Sequence, residues 1–573
     1  MMFLDNIELL ISTLSPVHIG TAEDYLPTNY VIDKDALYAF DTLALAQALP
    51  PPQWQTLQRI TTGHAQENTL LLIQKLIHEN RAICKGIASH FMPVAAGVSA
   101  LYDSRIGQSA QNEGQGGRRG RQVFNRLEIE RTFYNPVSRH PVLPGSSLKG
   151  AIRTALLDVV NAGQALPAQD QRELKQARKA GQIHQRLQQR LLQYSFKELD
   201  ADPLRLVRLA DAAWQGDEDV SASEVCFAVD RPRRLNPDPA KRTTMADEKG
   251  LYQLLETIPA LRLRAFRSTL LLQQLGDTPQ PARGRLPEPC FRWRFEEIAA
   301  ACNAFYRPQF AQELQLLDQL QYVNPVWGTQ MRELLAGGLV EVLDSNQAFL
   351  LRVGRHSGAE AVTLNGLRNI KIMLGKDQAT KKPRVAYEDR PRTIWLAADS
   401  QRARSDMQPF GWILVERDNL QASSLLHELA AELLQENRQW LAQRQQEIAA
   451  EISRLQEQQA EQQRQREIRQ QQAAAAAEQE RKRALMSEEE RALDQLQQWF
   501  AEDQSNGVLT NQGRVTGRLS ELLNSAGEWP PSARTMLADL AASIYGKLGM
   551  LAGKKGRERK ARITALRDST KTK

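Results

Sequence analysis

Cysteine is scarce in this sequence, and its few cysteines do not form pairs. The 573 residues include four, Cys84, Cys226, Cys290 and Cys302, which lie far apart with no Cys-x-x-Cys spacing. This pattern provides neither a disulfide framework nor a zinc site, and it is typical of a protein kept in a reducing compartment. We therefore expect a cytoplasmic protein.

Long apolar runs and a targeting pattern are also missing. No apolar run approaches the roughly 18 residues that a membrane-spanning helix needs. The first ten residues carry Asp5 and Glu8 where a signal peptide carries positive charge. Aromatic residues make up 6% of the chain and the mean hydropathy is -0.48, so part of the chain is strongly polar. We expect no membrane partner.

The positive charge is distributed unevenly. The chain has 74 Lys and Arg against 67 Asp and Glu, a net charge of +7. Residues 551–573 hold nine basic and two acidic side chains, so the first 550 residues are neutral overall. This excludes a protein that binds nucleic acid with a uniformly basic surface, but it leaves room for local basic patches and a basic tail.

The hydrophobic pattern predicts an α+β protein in four segments. Residues 1–200 and 201–416 each mix short strands with helices, and the first contains a polar helical insert at about 165–200. Residues 417–506 are predicted to form a long Gln/Glu/Arg-rich helix or coiled coil, because Trp412 to Asn506 contain neither glycine nor proline. Residues 507–573 are predicted to form a small helical module with a basic tail.

Individual elements follow from local periodicity. Strands are predicted at 7–20, 225–232, 261–272, 348–354 and 412–416, a hairpin at 30–41, and helices at 43–49, 67–87 and 296–317, with Pro50, Pro51 and Pro52 stopping the first helix. Apolar residues recur every seven positions at Leu434, Leu441, Ile448 and Leu455. The repeat does not persist, which favours a solvated helix or a short coiled coil over a long zipper.

A first candidate site is the segment LPGSSLKGAIR. Gly145 permits an unusual backbone at the turn, and Ser146 or Ser147 can cap the helix that follows. Lys149 and Arg153 are four residues apart and share one face of that helix. The helix N-terminus and the two cations could grip a phosphate, although the segment lacks the Gly-Lys-Ser/Thr ending of a Walker loop. A capped helix that packs small residues on a sheet explains the segment equally well.

A second candidate site is the glycine-rich segment LRVGRHSGAEAVT. Arg352, Arg355 and His356 surround Gly354 and Gly358. Glycines allow a phosphodiester chain to approach the backbone, and the arginines supply charge. A plain strand-to-helix loop remains the alternative.

A third candidate is the glycine-rich polar segment 103–121, which shows no periodicity and is predicted to be a mobile basic loop. Arg118, Arg119 and Arg121 contribute to its positive charge, and a solvated surface loop is the alternative.

Five motifs occur in order between residues 15 and 416: SPVHIG, LPGSSLKGAIRTALL, DPLRLVRLADA, LLRVGRHSGAEAVTL and FGWILVE. Together they resemble the RAMP superfamily of CRISPR-associated RNA-binding proteins, and within it the family of fifth subunits of type III-A (Csm) effector complexes. The resemblance implies tandem ferredoxin-like (RRM-like) RAMP domains with helical inserts. The residues after 420 do not match this family pattern.

The resemblance also implies a function. Such proteins are non-catalytic RNA-binding subunits that cap the 3′ end of the CRISPR RNA, next to the backbone and other subunits, and meet target RNA only indirectly. They are linked to guide maturation by a recruited host ribonuclease and to antiviral defence. The matching positions make the following residues candidate RNA contacts: His18, Gly20, Gly145, Ser146, Ser147, Lys149, Arg153, Arg352, Gly354, Arg355, His356 and Gly358. Arg118, Arg119 and Arg121 are further candidates, because the basic loop could order on RNA or on a neighbouring subunit.

No catalytic residue, metal ligand or cofactor is predicted. The slicing subunit of these complexes carries a Gly-Gly-x-Asp loop after its own His-Ile-Gly motif, whereas here only Asp24 follows and the double glycine is absent. Two alternatives stay open: the end-capping subunit of a type III-B complex, and a metal-independent guide-processing endoribonuclease that uses His18, His140 or His356 as a general base.

Overall fold

The computed structural model describes residues 4–62, 69–106, 111–112, 122–123, 127–174, 180–234, 251–275, 278–279, 281, 285–376, 380, 383–419, 421 and 424–568. It confirms a mixed α+β chain whose strands pair mainly antiparallel. The chain divides into two compact units, 1–455 and 456–573, and every described strand lies in the first.

The described strands are β1 (Leu4–Thr13), β2 (Gly20–Tyr25), β3 (Tyr30–Asp33), β4 (Ala36–Ala39), β5 (His90–Pro93), β6 (Gln111–Asn112), β7 (Gln122–Val123), β8 (Ile129–Thr132), β9 (Val142–Leu143), β10 (Val207–Leu209), β11 (Ala212–Trp214), β12 (Glu224–Pro232), β13 (Tyr252–Thr257), β14 (Phe266–Gln273), β15 (Ala348–Arg352), β16 (Ile370–Lys376), β17 (Pro383–Glu388), β18 (Thr393–Ala398), β19 (Gln408–Pro409) and β20 (Trp412–Arg417).

The described α-helices are α1 (Thr42–Ala48), α2 (Pro51–Thr62), α3 (Thr69–Glu79), α4 (Arg81–Gly86), α5 (Ala96–Arg105), α6 (Gly145–Asn161), α7 (Ala168–Leu174), α8 (Ala180–Leu191), α9 (Phe295–Gln319), α10 (Pro325–Glu333), α11 (Val340–Asp344), α12 (Ser424–Leu485), α13 (Glu488–Ser505), α14 (Arg514–Ser525), α15 (Pro531–Lys547) and α16 (Gly553–Asp568).

The larger sheet has β1 near its centre. Its strands run in the order β15, β20, β1, β14, β11, β9, and β10 also pairs with β14. β1 pairs antiparallel with β14 on one side and with β20 on the other. The apolar runs predicted as strands form this centre, and all five residues of β15 are buried. Strands from both sides of residue 200 thus lie in one sheet.

Helices α6 and α9 pack against each other and join the core of this sheet. The hydroxyl of Tyr306, in α9, lies 3.1 Å from the carbonyl oxygen of Ala151 in α6 and 3.2 Å from that of Ala361. This contact ties α6 to the segment that follows the glycine-rich loop. The helices predicted around 145–160 and at 296–317 are therefore confirmed.

The smaller sheet has the order β19, β18, β12, β13, β8, β2, and only β13 and β8 run parallel within it. Both faces of β12 are covered. Val225, Phe227 and Val229 belong to the main core, while Cys226 and Ala228 join a separate apolar cluster. This explains why the predicted strand at 225–232 is a continuous apolar run without alternation.

The predicted hairpin is confirmed as β3 and β4, with Lys34 in the turn at a φ of 59°. The predicted helix stop also holds, since α1 ends at Ala48. The sequence prediction missed that Pro51 begins α2. Proline suits this position, because a residue in the first turn of a helix makes no N–H hydrogen bond within the helix that proline could lose. The predicted loop at 103–121 begins too early, since α5 extends to Arg105.

The seven-residue apolar repeat packs on the first unit itself. Leu441 is buried, Ile448 packs on the core beneath β3 and β4, and Leu455 lies against Gly86. The apolar stripe that suggested a coiled coil therefore packs against the first unit of the same chain. Residues 456–485 of α12 are exposed throughout.

The second unit contains a helical module whose core is formed by α13 to α16, so the module begins at Glu488 and not at residue 507. The long helix predicted to reach 506 is interrupted before α13, where Ser487 and Glu490 form a capping box. The basic tail is largely helical: Gly556 and Ile563 of α16 are buried, and α16 packs on α15.

All four cysteines are free thiols, and only Cys290 is exposed. No helix in the described part of the chain is both long and apolar enough to cross a bilayer.

Candidate nucleic-acid interface

The SPVHIG motif and the glycine-rich loop form one junction, although more than 300 residues separate them. The backbone N–H of Arg355 donates to the carbonyl oxygen of His18 at 2.8 Å. Gly354 has a φ of +80°, and a Cβ there would lie 2.3 Å from that same oxygen. Glycine is required at 354 both for its backbone conformation and for this close approach.

The ring of His18 is inaccessible to RNA in this structure. It has no exposed surface, and its Nδ1 lies 2.7 Å from the carbonyl oxygen of Glu256. A carbonyl only accepts, so Nδ1 carries the proton and donates. Burial lowers the pKa of His18 to about 4 and leaves the ring neutral at pH 7. The prediction of an RNA contact at His18 conflicts with this burial, and the side chain instead holds the junction in place.

His356 is neutral as well. It has a φ of 62°, its ring stacks on Trp395 with centroids 4.3 Å apart, and its Nε2 lies 2.8 Å from Oε1 of Gln253. Burial, followed by the nearby Arg355 and His18, lowers the pKa of His356 to about 3. These contacts fix the loop conformation, and they leave no charge on the ring for a phosphate.

The two arginines of the loop have different environments. Arg355 is exposed and pairs with Glu130. Arg352 is only 5% exposed; its Nη1 lies 2.9 Å from a carboxylate oxygen of Glu313, and its guanidinium lies over the ring of Trp412. The predicted role of Arg352 as an RNA contact conflicts with this burial, because its charge is already balanced inside the core.

The two remaining glycines of these motifs are exposed. Gly20 opens β2, and Gly358 has a φ of +79° where a short 3-10 turn begins. Asp24 lies exposed in β2. No cluster of three histidine, cysteine, aspartate or glutamate side chains in the described residues is placed to hold a metal ion.

The start of α6 differs from its prediction. Neither Ser146 nor Ser147 caps the helix; instead the N–H of Gly145 donates to Oδ1 of Asp211 at 2.7 Å. A Cβ on Gly145 would lie 2.3 Å from the carbonyl oxygen of Leu209, so glycine at 145 allows α6 to approach the backbone at Leu209 closely. The φ of Gly145 is not positive. The place predicted for a phosphate at the helix N-terminus is taken by a carboxylate.

Lys149 and Arg153 do share one face of α6, as predicted. Lys149 is half-buried, and Arg153 is exposed and hydrogen-bonds Gln188 of the helical insert. Burial lowers the pKa of Lys149, which Asp202 opposes and the nearby Arg208 and Arg153 reinforce. Lys149, Arg153 and Arg208 therefore form a small basic patch. Arg118, Arg119 and Arg121 lie outside the described residues.

A groove of about 1070 Å³ opens beside the glycine-rich loop. Its charged lining consists of six arginines and four carboxylates, Arg233, Arg234, Arg352, Arg368, Arg390, Arg392, Glu313, Glu360, Glu388 and Asp389. We name it the arginine groove. Glutamines of α9 and the exposed ring of Tyr387 complete its wall.

The sequence prediction missed this groove, although a signal was present. The tetrapeptide Asp-Arg-Pro-Arg occurs twice, at 230–233 and at 389–392. The structure brings the two copies together, since the N–H of Arg233 donates to the carbonyl oxygen of Arg392 at 2.8 Å. A search for repeated short basic segments would have identified both walls.

Half of the groove's arginines are already in ion pairs. The pairs are Arg233 with Glu360, Arg352 with Glu313, and Arg392 with Glu388. Arg234 and Arg390 are exposed and make no ion pair or side-chain hydrogen bond among the described residues, although the charge of Arg234 is near enough to Glu388 to lower the pKa of that carboxyl. Burial lowers the pKa of Arg368, whose Nε is buried without a hydrogen-bond partner in the described part of the chain. Three arginines thus face one remaining carboxylate, Asp389, which leaves a local positive excess.

Comparison with known proteins gives a family and two structural neighbours. A comparison with curated sequences finds no match. A chain of "Cryo-EM structure of Csm-crRNA-target RNA ternary complex in type III-A CRISPR-Cas system" is 16% identical, with a TM-score of 0.33, and the match covers 72% of this chain and 100% of that one. "Crystal structure of T.onnurineus Csm5" is 16% identical, with a TM-score of 0.37, and the match covers 71% and 99%. The family model described as the RAMP superfamily matches residues 10–339, more than half of the sequence. The chain belongs to the RAMP superfamily.

Proposed function

We propose that the chain is a non-catalytic RNA-binding subunit of a type III CRISPR effector complex. It caps the 3′ end of the CRISPR RNA, supports assembly and guide maturation, and acts in the cytoplasm. Membership of the RAMP superfamily and the order of the five sequence motifs support this proposal. Its direct partners are the guide RNA and the neighbouring subunits of a type III-A complex, with target RNA reached indirectly and a host ribonuclease recruited for guide trimming.

The arginine groove is the observation that carries RNA binding. Arg234 and Arg390 project unpaired guanidiniums from two chain segments that meet there, and such groups bind phosphate oxygens without reading sequence. The ring of Tyr387 is 38% exposed and can stack on a base. A neutral body with one such groove suits an RNA held at a fixed place in an assembly.

Charge reversal tests this proposal. The full chain with Arg234→Glu and Arg390→Glu should bind single-stranded RNA more weakly, and the slope of log Kd against log salt should fall by about 1.4, because each lost phosphate contact accounts for roughly 0.7. The control carries Arg464→Glu and Arg466→Glu, an equal charge change on exposed positions of α12. Equal affinities and slopes for the groove variant and the wild type would reject the groove as the RNA site.

We also propose that the larger sheet with α6 and α9 forms one ferredoxin-like domain. α6 lies between β1 and the β10–β11 edge in sequence, α9 lies between β14 and β15, and β1 sits between β14 and β20. This order matches a β-α-β-β-α-β unit with β20 as its last strand, to which β15 and β9 are added at the two edges. The smaller sheet is the proposed second RAMP domain.

The absence of catalysis is part of the proposal. A general base must reach the proton that it removes, whereas the His18 ring is fully buried and the His356 ring is held by Trp395 and Gln253. The purified chain should leave RNA intact in the presence of a chelator. Cleavage that is lost when the RNA carries a 2′-deoxy group at the scissile position, and lost again in His356→Ala, would establish the endoribonuclease alternative instead.

A further inference from the structure

Helix α16 carries the positive charge that the rest of its module lacks. Its sixteen residues hold seven basic and two acidic side chains. Residues 488–550, which cover the other helices of the module, hold five basic and nine acidic side chains. The cationic character of this module is therefore concentrated on one helix.

The module's core fixes α16 in place. Gly556 and Ile563 are buried, and the guanidinium of Arg559 lies over the ring of Tyr545 while its Nη1 donates to the carbonyl oxygen of Met550 at 2.9 Å. These contacts use one face of the helix. The opposite face is therefore presented as a rigid surface, which lowers the entropic cost of binding a partner.

The exposed positions in the N-terminal half of α16 bear four cations, Lys554, Lys555, Arg557 and Lys560, and one carboxylate, Glu558. Each cation is exposed, and none has an ion-pair or hydrogen-bond partner for its charged group among the described residues. We name these four cations the α16 basic face. Farther along the helix Arg562 contacts Asn524 and Arg567 pairs with Asp539, so the free charge is confined to the N-terminal half.

This arrangement is unfavourable for the helix alone. Lys554, Lys555 and Arg557 lie in or next to the first turn, which contains no acidic residue. Cations at a helix N-terminus oppose the helix dipole, and neighbouring like charges repel each other. A bound polyanion would remove both penalties.

The composition of the face points to nucleic acid. Its exposed positions offer no aliphatic or aromatic side chain that could enter a bilayer, since Ile563 is packed in the core. Protein interfaces are depleted in lysine and rely on buried aromatic and aliphatic anchors, which the face also lacks. Lysine and arginine without apolar neighbours are typical of contacts to a phosphate backbone.

We propose that the α16 basic face binds the phosphate backbone of a nucleic acid strand without sequence preference, as a second binding surface outside the region matched by the RAMP family. This surface does not depend on the arginine groove. It accounts for the location of the chain's net charge, which the proposed function leaves unexplained.

The test uses the full chain with Lys554→Glu, Lys555→Glu and Arg557→Glu. Carboxylates suit the first turn of a helix, so these changes should keep α16 folded, and an unchanged or raised melting temperature will verify this. Binding of an unstructured single-stranded RNA should weaken at least tenfold near physiological salt. The slope of log Kd against log salt should fall by about 2, from three lost contacts at roughly 0.7 each.

The matched control reverses Arg464, Arg466 and Arg469, three exposed cations of α12. It should retain the wild-type affinity and slope. Combining the α16 changes with Arg234→Glu and Arg390→Glu separates the two surfaces: each set should lower the slope independently if both bind RNA. If only the Arg234→Glu and Arg390→Glu changes weakened RNA binding, the α16 proposal would be overturned and the proposed function would remain intact. Unchanged RNA binding with weakened binding to a partner subunit would also overturn it, in favour of an acidic protein surface.

Discussion

The junction between the SPVHIG motif and the glycine-rich loop makes a specific prediction about Gly354. Gly354→Ala lowers the stability of this junction in two ways. Alanine at a φ of +80° costs about 1 kcal/mol, and a Cβ 2.3 Å from the His18 carbonyl oxygen forces the two segments apart. Separation breaks the 2.8 Å hydrogen bond from Arg355, worth about 1 kcal/mol, and disturbs the packing by at least as much again. The total is about 3 kcal/mol.

Gly375 provides a matched control. It has the same φ of +80°, but nothing lies within 4 Å of the position that its Cβ would take. Gly375→Ala should therefore cost only the conformational penalty of about 1 kcal/mol. Asparagine separates the two penalties, because it tolerates a positive φ. Gly375→Asn should be nearly neutral, whereas Gly354→Asn should be as damaging as Gly354→Ala.

Hydrogen–deuterium exchange of the full chain measures these effects locally. Opening of the junction should become more frequent by roughly a hundredfold in Gly354→Ala, since 1.4 kcal/mol corresponds to a factor of ten. The effect should appear in peptides that cover residues 15–20 and 350–358, and Gly375→Ala should leave those peptides unchanged. If Gly354→Asn exchanged like the wild type, the close approach to His18 would not govern this junction, and the reasoning would fail.

Three further predictions follow from contacts of single side chains. Asp211→Ala should lower stability by about 1 kcal/mol by removing the cap of α6, whereas Ser146→Ala should have no effect on the melting temperature. Arg352→Met should cost about 3–5 kcal/mol because it leaves a buried carboxylate unpaired, and adding Glu313→Gln should recover part of this loss; equal melting temperatures for the single and double variants would argue against the pair. Stability should fall between pH 6.5 and 4, because burial lowers the pKa values of His18, His90 and His356 and the unfolded chain then binds protons that the folded chain excludes. His356→Gln should flatten this profile in a thermal-shift titration, and an unchanged profile would argue against the neutral ring.

Four carboxyl groups oppose this acid lability, because burial raises the pKa values of Glu130, Glu224, Asp230 and Glu256. Burial raises the pKa of Glu256 to about 7, so its contribution to stability is present below pH 4.5 and is lost as the pH rises through 7. The upward shift of the Glu256 pKa is smaller than the sum of the downward shifts of the His18, His90 and His356 pKa values, to about 4, 4 and 3. For Glu256 and the three histidines together, the net result in this window is therefore loss of stability at acid pH.

Local patterns predicted the elements well and their long-range contacts poorly. The apolar runs at 225–232 and 412–416 became β12 and β20, and the small-residue pattern after Gly145 became α6. The cap of α6 comes from Asp211, 66 residues away, where no local rule could locate it. Ser146 and Ser147 fitted the sequence pattern of a helix cap, but the extended backbone at Pro144 already sets the turn into α6, and neither serine caps the helix.

In the candidate site, too, the sequence predicted the local motif but not the contacts made by distant parts of the chain. The sequence identified the glycine-rich loop, but its prediction was that a phosphodiester chain approaches the glycines, whereas Gly354 is needed for close approach to the His18 carbonyl oxygen. The sequence could not show that Arg352 is buried and Arg355 is exposed, because burial depends on strands that join from elsewhere in the chain. The arginine groove was missed because its walls are two segments more than 150 residues apart, which only the folded sheets bring together.

The position of β1 in the larger sheet affects how the protein can be made. β1 is synthesised long before its two neighbours, β14 and β20, which begin only at residues 266 and 412. At about 5–20 residues per second, a ribosome needs roughly 20–80 s to reach the last of them. Both edges of a long apolar strand stay unpaired for much of that time, which is a risk for aggregation. A nascent chain released before Arg417 could not complete its central sheet, so translation through the last strand is a condition for this fold.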